Sequence, residues 1–505
     1  MVFSSFAFIF VYLPLVVAAT WLARRIAGLR GVIALVCLAS FVFYAYWDWR
    51  FLPVLLLSIL FNFVCARRLI HGEARRRLVL VVGISCNLLA LGCFKYLNFV
   101  VENLAFVAGR DWGFANVVLP IGISFFTFQQ IAYLVDVYRT RRHEYALLDY
   151  ALFVSFFPQL IAGPIVHHRE MMPQLQNPEL GRFDPAMVSR GMVVFVFGLT
   201  KKVLIADTLA GYSDQLYAAA AAGATLSALD AWGAAITYGL QLYFDFSGYA
   251  DMAIGLALIF GIFLPENFDR PYAAVSISDF WRRWHITLSR FLREYLYIPL
   301  GGSRVGPART RVNLMITMLL GGIWHGAGWT FFLWGALHGS YLVLQRLFEQ
   351  LRERLGIPAL PWPIAWALTM AAVFFAWVPF RAESLAATLV IWEGMLFLGP
   401  LLPERVASAI GTAPAELLTA LGFALDGPDI FIVREWLWLI VGAAAALVLA
   451  VLLPNGHRVA AVVFTAGPTA RSRLRGRLAG IATSLALIAM LLYLSYQPVF
   501  LYFQF

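Results

Sequence analysis

His325 is an ionisable residue inside an apolar stretch, 312–345, that contains no Asp, Glu, Lys or Arg. An ionisable side chain in such a stretch is costly at membrane depth, so a functional site is the default hypothesis. A neutral imidazole there can serve as a general base, relay protons or bind a metal. The alternative is a core histidine that bonds to a neighbouring backbone carbonyl. We rate the functional interpretation above this alternative for His325, whereas we interpret His338 as structural.

A second histidine, His285, lies in the basic and aromatic segment 276–298. At helical spacing the apolar side chains of this segment share one face and its arginines lie opposite. Ser276 with Asp279 three residues later is typical of a capping box at a helix start. The pattern predicts one amphipathic helix at the cytoplasmic membrane interface, with His285 at the edge of its apolar face.

The arginines of this segment allow two interpretations. They can contact lipid headgroups and fix the topology, or they can dock a phosphate-bearing donor such as coenzyme A. Arginine suits bidentate contact with phosphate, so we take Arg282 and Arg283, with the adjacent Trp284, as candidate donor-binding residues. Trp324, next to His325, is a further candidate.

Two carboxylates, Asp245 and Asp251, interrupt a pair of apolar segments at 231–244 and 252–265. We favour a packed polar elbow that orders the site. The alternative is direct contact with the substrate or with His325, because acidic residues inside membrane segments often mark functional positions.

The elements that must position these residues are membrane helices. The chain has 505 residues, 61% of them hydrophobic and 13% charged, which is typical of an integral membrane protein. We predict an all-α polytopic protein of roughly 11–13 transmembrane or re-entrant helices, each near ~20 residues. The uncharged runs on which this count rests are 3–22, 31–47, 51–66, 78–94, 114–135, 150–166, 312–345, 363–380, 436–454 and 478–505, with weaker segments at 191–209, 231–244 and 252–265.

The run 312–345 is too long for one straight crossing, because as a single helix it would extend ~51 Å against a ~30 Å hydrocarbon core. Glycines at Gly321–Gly322 and Gly326–Gly328 are the expected break points. We expect the two glycines before His325 to leave room for a group that approaches the imidazole.

Short basic clusters follow alternate apolar runs, which predicts their side as the cytoplasm and places the N-terminus outside. This arrangement also explains the net charge of +10 without nucleic acid. The eight histidines are scattered, so we expect no metal site and no tightly bound cofactor. With no nucleophile motif, a proton-coupled glycan transporter or flippase is the rival to an enzyme, although no internal repeat supports it.

Several motifs together resemble the membrane-bound O-acyltransferases, and within them the alginate O-acetylation branch. They are 279–285 (DFWRRWH), 292–302 (LREYLYIPLGG), 321–326 (GGIWHG), 119–125 (LPIGISF), 161–164 (IAGP), 243–253 (YFDFSGYADMA) and the end 500–505 (FLYFQF). The similarity extends over nearly the whole chain and predicts one membrane domain over 1–505, with the catalytic core in 151–345 between N-terminal and C-terminal spans. The segment 377–382 departs from the family pattern, which has Phe near 379, and we expect it to lie away from the site.

The resemblance implies that His325 is the catalytic residue and that His285 is a second important position. It implies a central funnel from the cytoplasmic face to a neck near the catalytic histidine. The donor would be acetyl-CoA or another acyl thioester on the cytoplasmic side. The acceptor would be an exported, alginate-like polysaccharide or periplasmic acetylation proteins outside, in the bacterial inner membrane. D-alanyl transfer to a cell-envelope polymer is the alternative within the same enzyme class.

Overall fold

The computed structural model describes residues 1–72, 75–110, 112–113, 116–142, 144–464, 482–483 and 485–487. These residues form helices and loops, and within them the only β pairing is an isolated bridge between Pro403 and Gly427. This agrees with the predicted all-α membrane protein. The predicted last span, 478–505, and the end motif 500–505 lie outside the described residues, apart from the short pieces at 482–487.

The chain forms two compact units. The first unit takes in the described residues of 1–200, 247–267 and 456–504, and the second takes in 201–246 and 268–455. Whether these units make up one functional domain over 1–505 stays a prediction.

The first unit begins with a 65-residue helical stretch, Ala7–His71, that is divided at two points. Gly28 adopts φ 64 and ψ −153, a conformation that kinks the helix and that glycine tolerates without a Cβ clash. Asp48 is extended at φ −158 and ψ 107, and its carboxylate accepts a hydrogen bond from the backbone N–H of Arg50. The three pieces match the predicted runs 3–22, 31–47 and 51–66.

The remaining helices of the first unit are Arg76–Leu91, which continues through a π-helical turn at Gly92–Tyr96 into Leu97–Ala108, then Ile123–Thr140, Leu147–Ser155, Phe157–Leu160, His168–Leu175, Pro185–Thr200 and Gly456–Phe464. Two predicted runs differ from these bounds. In the described part of the run 114–135, from residue 116 on, the helix begins only at Ile123, because Pro120 and the left-handed Gly122 precede it. The run 150–166 holds the end of Leu147–Ser155, the four-residue helix Phe157–Leu160 with Pro158 in its first turn, and a loop.

The helices of the second unit are Asp207–Ala221, which follows a π-helical turn at Lys201–Ala206, then Ala228–Ile259, Ile277–Arg283, Ile286–Leu292, the π-helical turn Arg293–Tyr297, Pro307–His325, Trp329–Arg354, Trp362–Arg381, Leu385–Met395, Glu404–Ala409, Thr412–Ala420 and Val433–Leu452. The helix Ala228–Ile259 belongs to this unit up to Phe246 and to the first unit from Ser247. The segment predicted at 231–244 and the first part of that predicted at 252–265 therefore lie in one helix, which ends at Ile259. Asp245 and Asp251 are buried within this helix and do not end it.

The predicted break in 312–345 is confirmed, and it lies at the second of the two expected points, Gly326–Gly328. The helix Pro307–His325 ends at His325, and Trp329–Arg354 begins after the extended residues Gly326 and Gly328. Gly321 and Gly322 stay inside the first helix. We call these two helices the histidine hairpin.

Glycines set how closely the two helices of the histidine hairpin approach. A Cβ on Gly322 would lie 2.4 Å from the carbonyl oxygen of Phe331 and 3.0 Å from Cα of Gly335. A Cβ on Gly339 would lie 2.7 Å from Sδ of Met315. The paired positions run in opposite directions, so the helices are antiparallel. The expectation that Gly322 leaves room for another group is wrong, because the partner helix already fills that space.

Five helices are long and apolar enough to cross a membrane, judged on the described residues. They are Ala7–His71, Arg76–Ala108, Ala228–Ile259, Trp362–Arg381 and Val433–Leu452. The predicted count of roughly 11–13 segments is higher, partly because three predicted runs fall within Ala7–His71. At ~1.5 Å per residue this stretch would be ~98 Å long if straight, more than one crossing needs.

We expect Gly322→Ala to destabilise the protein by about 1–3 kcal/mol, because the added methyl meets backbone atoms that cannot rotate away. Gly442→Ala is the control, since a Cβ there meets nothing within 4 Å. Thermal unfolding of the purified proteins in detergent checks this expectation. Equal unfolding temperatures for the two variants would contradict the close packing of the histidine hairpin.

Candidate active site

His325 is the last residue of the first hairpin helix and is 6% exposed. Three aromatic rings surround its imidazole, with centroid distances of 4.9 Å to Trp324, 5.0 Å to Trp334 and 5.1 Å to Phe380. All three meet it nearly edge to face, at interplanar angles of 70–85°. The imidazole is thus held in an apolar shell at the point where the helix ends.

Two members of this shell were missed from the sequence. Trp334 comes from the second hairpin helix, and Phe380 comes from Trp362–Arg381. Our expectation that 377–382 lies away from the site is wrong, since Phe380 contacts His325 and Trp377 stacks on Trp334 at 5.9 Å. Trp334 and Phe380 lie in the predicted apolar runs 312–345 and 363–380, and no local signal in these runs shows which residues they contact.

His285 joins two short helices, Ile277–Arg283 and Ile286–Leu292, with backbone angles of φ 42 and ψ 55. The single amphipathic helix predicted over 276–298 is therefore wrong, since the chain breaks at Trp284 and His285. The left-handed turn sets the direction of the His285 side chain relative to that of Trp284. The break buries both of them, with Trp284 3% and His285 0% exposed.

The imidazole of His285 also lies among aromatic rings. Phe246 meets it edge to face at 4.8 Å, and Phe268 lies parallel to it at 6.4 Å. His285 is outside the candidate membrane spans, and burial lowers its pKa to about 3. It is therefore neutral at physiological pH, which lets one ring nitrogen accept a hydrogen bond while the other donates.

Trp324 lies between the two histidines. Its ring centroid is 6.3 Å from that of His285 and 4.9 Å from that of His325. The structure thus brings together the two histidines that the sequence singled out, through one shared indole. Whether Trp324 contacts the substrate stays a prediction.

His338, predicted to be structural, is fully buried on the second hairpin helix. The indole Nε1 of Trp281 donates a hydrogen bond to its Nδ1 at 3.3 Å, so the imidazole proton is on Nε2. Trp334 packs against His338 at 4.8 Å and against His325 at 5.0 Å. His338 thereby helps to fix the ring that closes one side of the His325 shell.

The candidate donor residues differ in exposure. The side chain of Arg282 is 72% exposed and that of Arg283 is 28% exposed. Both contact the carboxylate of Asp279, at 3.5 Å and 3.1 Å respectively. Ser276 caps this helix as predicted, since its hydroxyl accepts a hydrogen bond from the N–H of Asp279. The two guanidinium groups are held on one short helix, with one carboxylate between them.

Trp284 is a core residue in this structure. Its ring stacks on Phe280 at 5.6 Å and packs against Trp377 at 4.9 Å. It holds the short helix against Trp362–Arg381 and so supports the left-handed turn at His285. A direct contact of Trp284 with the donor stays a prediction.

Asp245 takes part in a buried group of charges. Its carboxylate contacts the ammonium group of Lys202 at 2.9 Å, and the same ammonium group donates to Asp207. The side chains of Lys202 and Asp245 are 4% and 2% exposed. Asp251, in the first unit, accepts a hydrogen bond at 3.3 Å from the N–H of Gly456. These partners favour the packed polar interpretation of both carboxylates.

The sequence reasoning missed the role of Lys202. The pair Lys201–Lys202 interrupts an apolar run, and a lysine in such a run requires a buried partner or a route to water. That signal predicts a buried acidic partner for Lys202, and it does not identify Asp245 as that partner. Within the described residues, no group of three or more His, Cys, Asp or Glu side chains is placed to hold a metal ion.

Comparisons with known proteins decide the family. Residues 89–392 match the membrane-bound O-acyltransferase family. The chain belongs to this family. It is therefore a multi-pass membrane acyltransferase, which sets the transporter alternative aside. The match includes both histidines and both helices of the histidine hairpin.

Relatives in this family share much of the chain. A peptidoglycan O-acetyltransferase of Helicobacter pylori is 44% identical over 78% of this chain and 80% of its own length. A probable alginate O-acetylase of Pseudomonas aeruginosa is 42% identical over 79% of this chain and 75% of its own length. A teichoic acid D-alanyltransferase of Streptococcus thermophilus is 27% identical over 48% of this chain and 62% of its own length.

We expect His285→Asn to lower acyl transfer by about 10²–10³-fold, the loss typical of one hydrogen-bond donor to developing negative charge, while the protein keeps its membrane level. Asn tolerates a left-handed backbone, so the variant removes the imidazole and retains the turn. His285→Val is the matched variant, and its β-branched side chain at φ 42 should lower the membrane level as well. Immunoblots and a transfer assay on the same membranes check this. Full transfer by His285→Asn would contradict a role for the imidazole.

We expect Lys202→Met to destabilise the protein by about 3–5 kcal/mol, because it leaves two buried carboxylates without their cation. Asp245→Asn should be much milder, since Lys202 and Asp207 then remain as a balanced pair. Unfolding temperature and membrane level of the two variants are the measurements. A loss in Asp245→Asn as large as that in Lys202→Met would show that Asp245 does more than balance this charge.

Proposed function

We propose that this protein is an O-acetyltransferase that moves an acetyl group from a thioester donor to a hydroxyl of an envelope polysaccharide or of a periplasmic acetylation partner. The observation that carries the proposal is the imidazole of His325, held at a helix end in an aromatic shell and joined to His285 through Trp324. Relatives 44% and 42% identical, named for O-acetyl transfer, support acetyl as the group.

In the proposed reaction His325 is the general base. It takes the proton of the acceptor hydroxyl as that oxygen attacks the thioester carbonyl carbon. The new C–O bond forms, the C–S bond breaks, and the thiolate leaves and takes up the proton. General-base assistance of this kind contributes about 10²–10⁴-fold in rate. The apolar shell would strengthen the hydrogen bond between the acceptor hydroxyl and His325 by excluding water.

His285 would act on the donor. A neutral imidazole at this position can donate a hydrogen bond to the thioester carbonyl as negative charge develops on its oxygen. Burial keeps His285 neutral, and the left-handed turn fixes the direction of its ring. A direct transfer of this kind needs no acyl-enzyme.

The donor we propose is acetyl-CoA or another acyl thioester that arrives from the cytoplasm. The exposed guanidinium of Arg282 and the half-buried one of Arg283 suit contact with phosphate. The carboxylate of Asp279 pairs with both guanidinium groups and offsets their mutual repulsion when no donor is bound. No tightly bound cofactor is required by this scheme.

We place the protein in the bacterial inner membrane with its N-terminus in the periplasm. The support is the distribution of basic clusters, which by the positive-inside rule marks the cytoplasmic side. The acetyl group would then cross the membrane through the predicted funnel. Periplasmic acetylation proteins are the proposed partners on the outer side, together with the lipid bilayer around the chain.

The acceptor has two candidates within O-acetyl transfer. Relatives named for alginate point to an exopolysaccharide, and the relative named for peptidoglycan points to the cell-wall glycan. D-alanyl transfer to teichoic acid is a second candidate function, supported by relatives at 27% and 26% identity over about half of this chain. The higher identity and coverage favour acetyl transfer to an alginate-like polymer or a related glycan.

We expect His325→Ala to abolish ester-bound acetate in the acceptor polymer while polymer export continues. The measurement is acetate released by mild base from exported polysaccharide and, separately, from purified peptidoglycan, in cells whose only copy is the variant. The polymer that loses its esters is the acceptor. A loss of ester-linked D-alanine with acetate unchanged would favour the second candidate function.

His71→Ala is the matched control. His71 is an exposed histidine of the first unit that pairs with Glu144 at 2.9 Å, whereas His325 belongs to the second unit. Its replacement removes an imidazole that takes no part in the proposed reaction. His71→Ala should keep wild-type ester content. If esters persist in His325→Ala at matched membrane level, His325 is not the general base.

A further inference from the structure

The first unit contains a basic pocket that the proposed reaction does not use. Its volume is about 600 Å³. The residues that line this basic pocket are Trp21, Arg24, Arg25, Gly181, Arg182 and Phe183. All six belong to the first unit, whereas both histidines of the candidate active site belong to the second.

One backbone kink and one close approach of a loop to a helix build the basic pocket. The kink at Gly28 ends the first piece of Ala7–His71 just after Arg24 and Arg25. Gly181 has φ +75, and a Cβ on it would lie 2.7 Å from a methyl group of Val32. The loop that carries Gly181 therefore lies directly against the helix after the kink.

The loop is also fixed by its own hydrogen bonds. The N–H of Leu180 donates to the carbonyl of Asn177, and the N–H of Arg182 donates to the carbonyl of Glu179. Arg24 joins the two parts, since its Nη2 donates to the carbonyl of Pro178. The basic pocket is thus an ordered feature of the first unit.

Three arginines, Arg24, Arg25 and Arg182, line this pocket. The carboxylate of Glu179 pairs with Arg182 at 2.8 Å and offsets one of these charges. Within the described residues, the buried Nε of Arg24 has no hydrogen-bond partner. Neighbouring like charges and an unpaired buried donor both cost free energy, and an anion in the pocket would offset both costs.

An aromatic pair forms the rest of the wall. The rings of Trp21 and Phe183 meet at 4.4 Å with an interplanar angle of 70°. Tryptophan beside arginine at the end of an apolar helix is typical of the headgroup level of a membrane. The wall therefore suits a ligand that is anionic at one end and apolar at the other.

We propose that the basic pocket binds a phosphate group, supplied by the headgroup of an anionic phospholipid. The guanidinium groups of Arg24, Arg25 and Arg182 contact the phosphate oxygens, for which arginine offers paired N–H donors. The aromatic pair contacts the glycerol and upper acyl region. Free phosphate shares the anionic chemistry and lacks the apolar part.

The test uses the purified full-length protein in a neutral detergent. The probes are dihexanoyl phosphatidylglycerol, dihexanoyl phosphatidylcholine and inorganic phosphate, each titrated while bound lipid is counted by native mass spectrometry and unfolding temperature is recorded. Arg25→Gln/Arg182→Gln is the test variant, and Arg75→Gln/Arg77→Gln removes the same charge from two exposed arginines of the same unit. Arg25→Glu is a second test, since this exposed side chain can be reversed in charge with little effect on folding.

We expect the Arg25/Arg182 variant to bind phosphatidylglycerol about tenfold or more weakly than wild type, and the Arg75/Arg77 variant to bind it as wild type does. Phosphatidylcholine should raise the unfolding temperature of wild type less than phosphatidylglycerol does. Wild-type affinity in both Arg25 variants, or equal binding of the two lipids, would overturn the proposal. Competition by inorganic phosphate at the concentration at which phosphatidylglycerol binds would assign the pocket to free phosphate and overturn the lipid source.

Discussion

Two imidazoles share one aromatic shell in the second unit, and the shell is assembled from segments far apart in the chain. Phe246 comes from Ala228–Ile259, Trp324 and Trp334 come from the histidine hairpin, and Phe380 comes from a later helix. Edge-to-face contacts at 4.8–5.1 Å leave little freedom for any of these rings. The position of each histidine therefore depends on the packing of helices that carry no reactive group.

The histidine hairpin sets the positions of His325 and Trp334 in this shell. Gly322 lets the backbone of the second helix approach the first, and that approach sets where Trp334 lies opposite His325. Closely approaching helices are common in membrane proteins because small residues allow backbone contact. Ending the helix at His325 places the imidazole at the turn, where Gly326 and Gly328 present little side chain around it.

The sequence predicted the parts of this site that are local, and it missed those that depend on tertiary packing. An isolated histidine in an apolar run, glycines where that run must break, and a serine cap at Ser276 are local signals, and the structure has each of them. The contact of Phe380 with His325 and the pairing of Lys202 with Asp245 join residues more than forty positions apart. An apolar or charged residue at helical spacing shows that it is buried and gives no information about its partner. The break at His285 was missed because the apolar periodicity continues through it.

The break at His285 lets two neighbouring side chains of one short segment pack against different residues. Trp284 must pack against Trp377 to hold the segment in the core, and His285 must reach the shell formed by Phe246 and Trp324. A left-handed residue other than glycine costs roughly 1–2 kcal/mol, which burial of two aromatic side chains can offset. The ion pair between Lys202 and Asp245 also supports the position of His285. It anchors the helix at Asp245, and the next residue, Phe246, packs against the His285 imidazole. The left-handed turn and the buried ion pair each cost free energy locally, and together they fix the direction of the His285 ring.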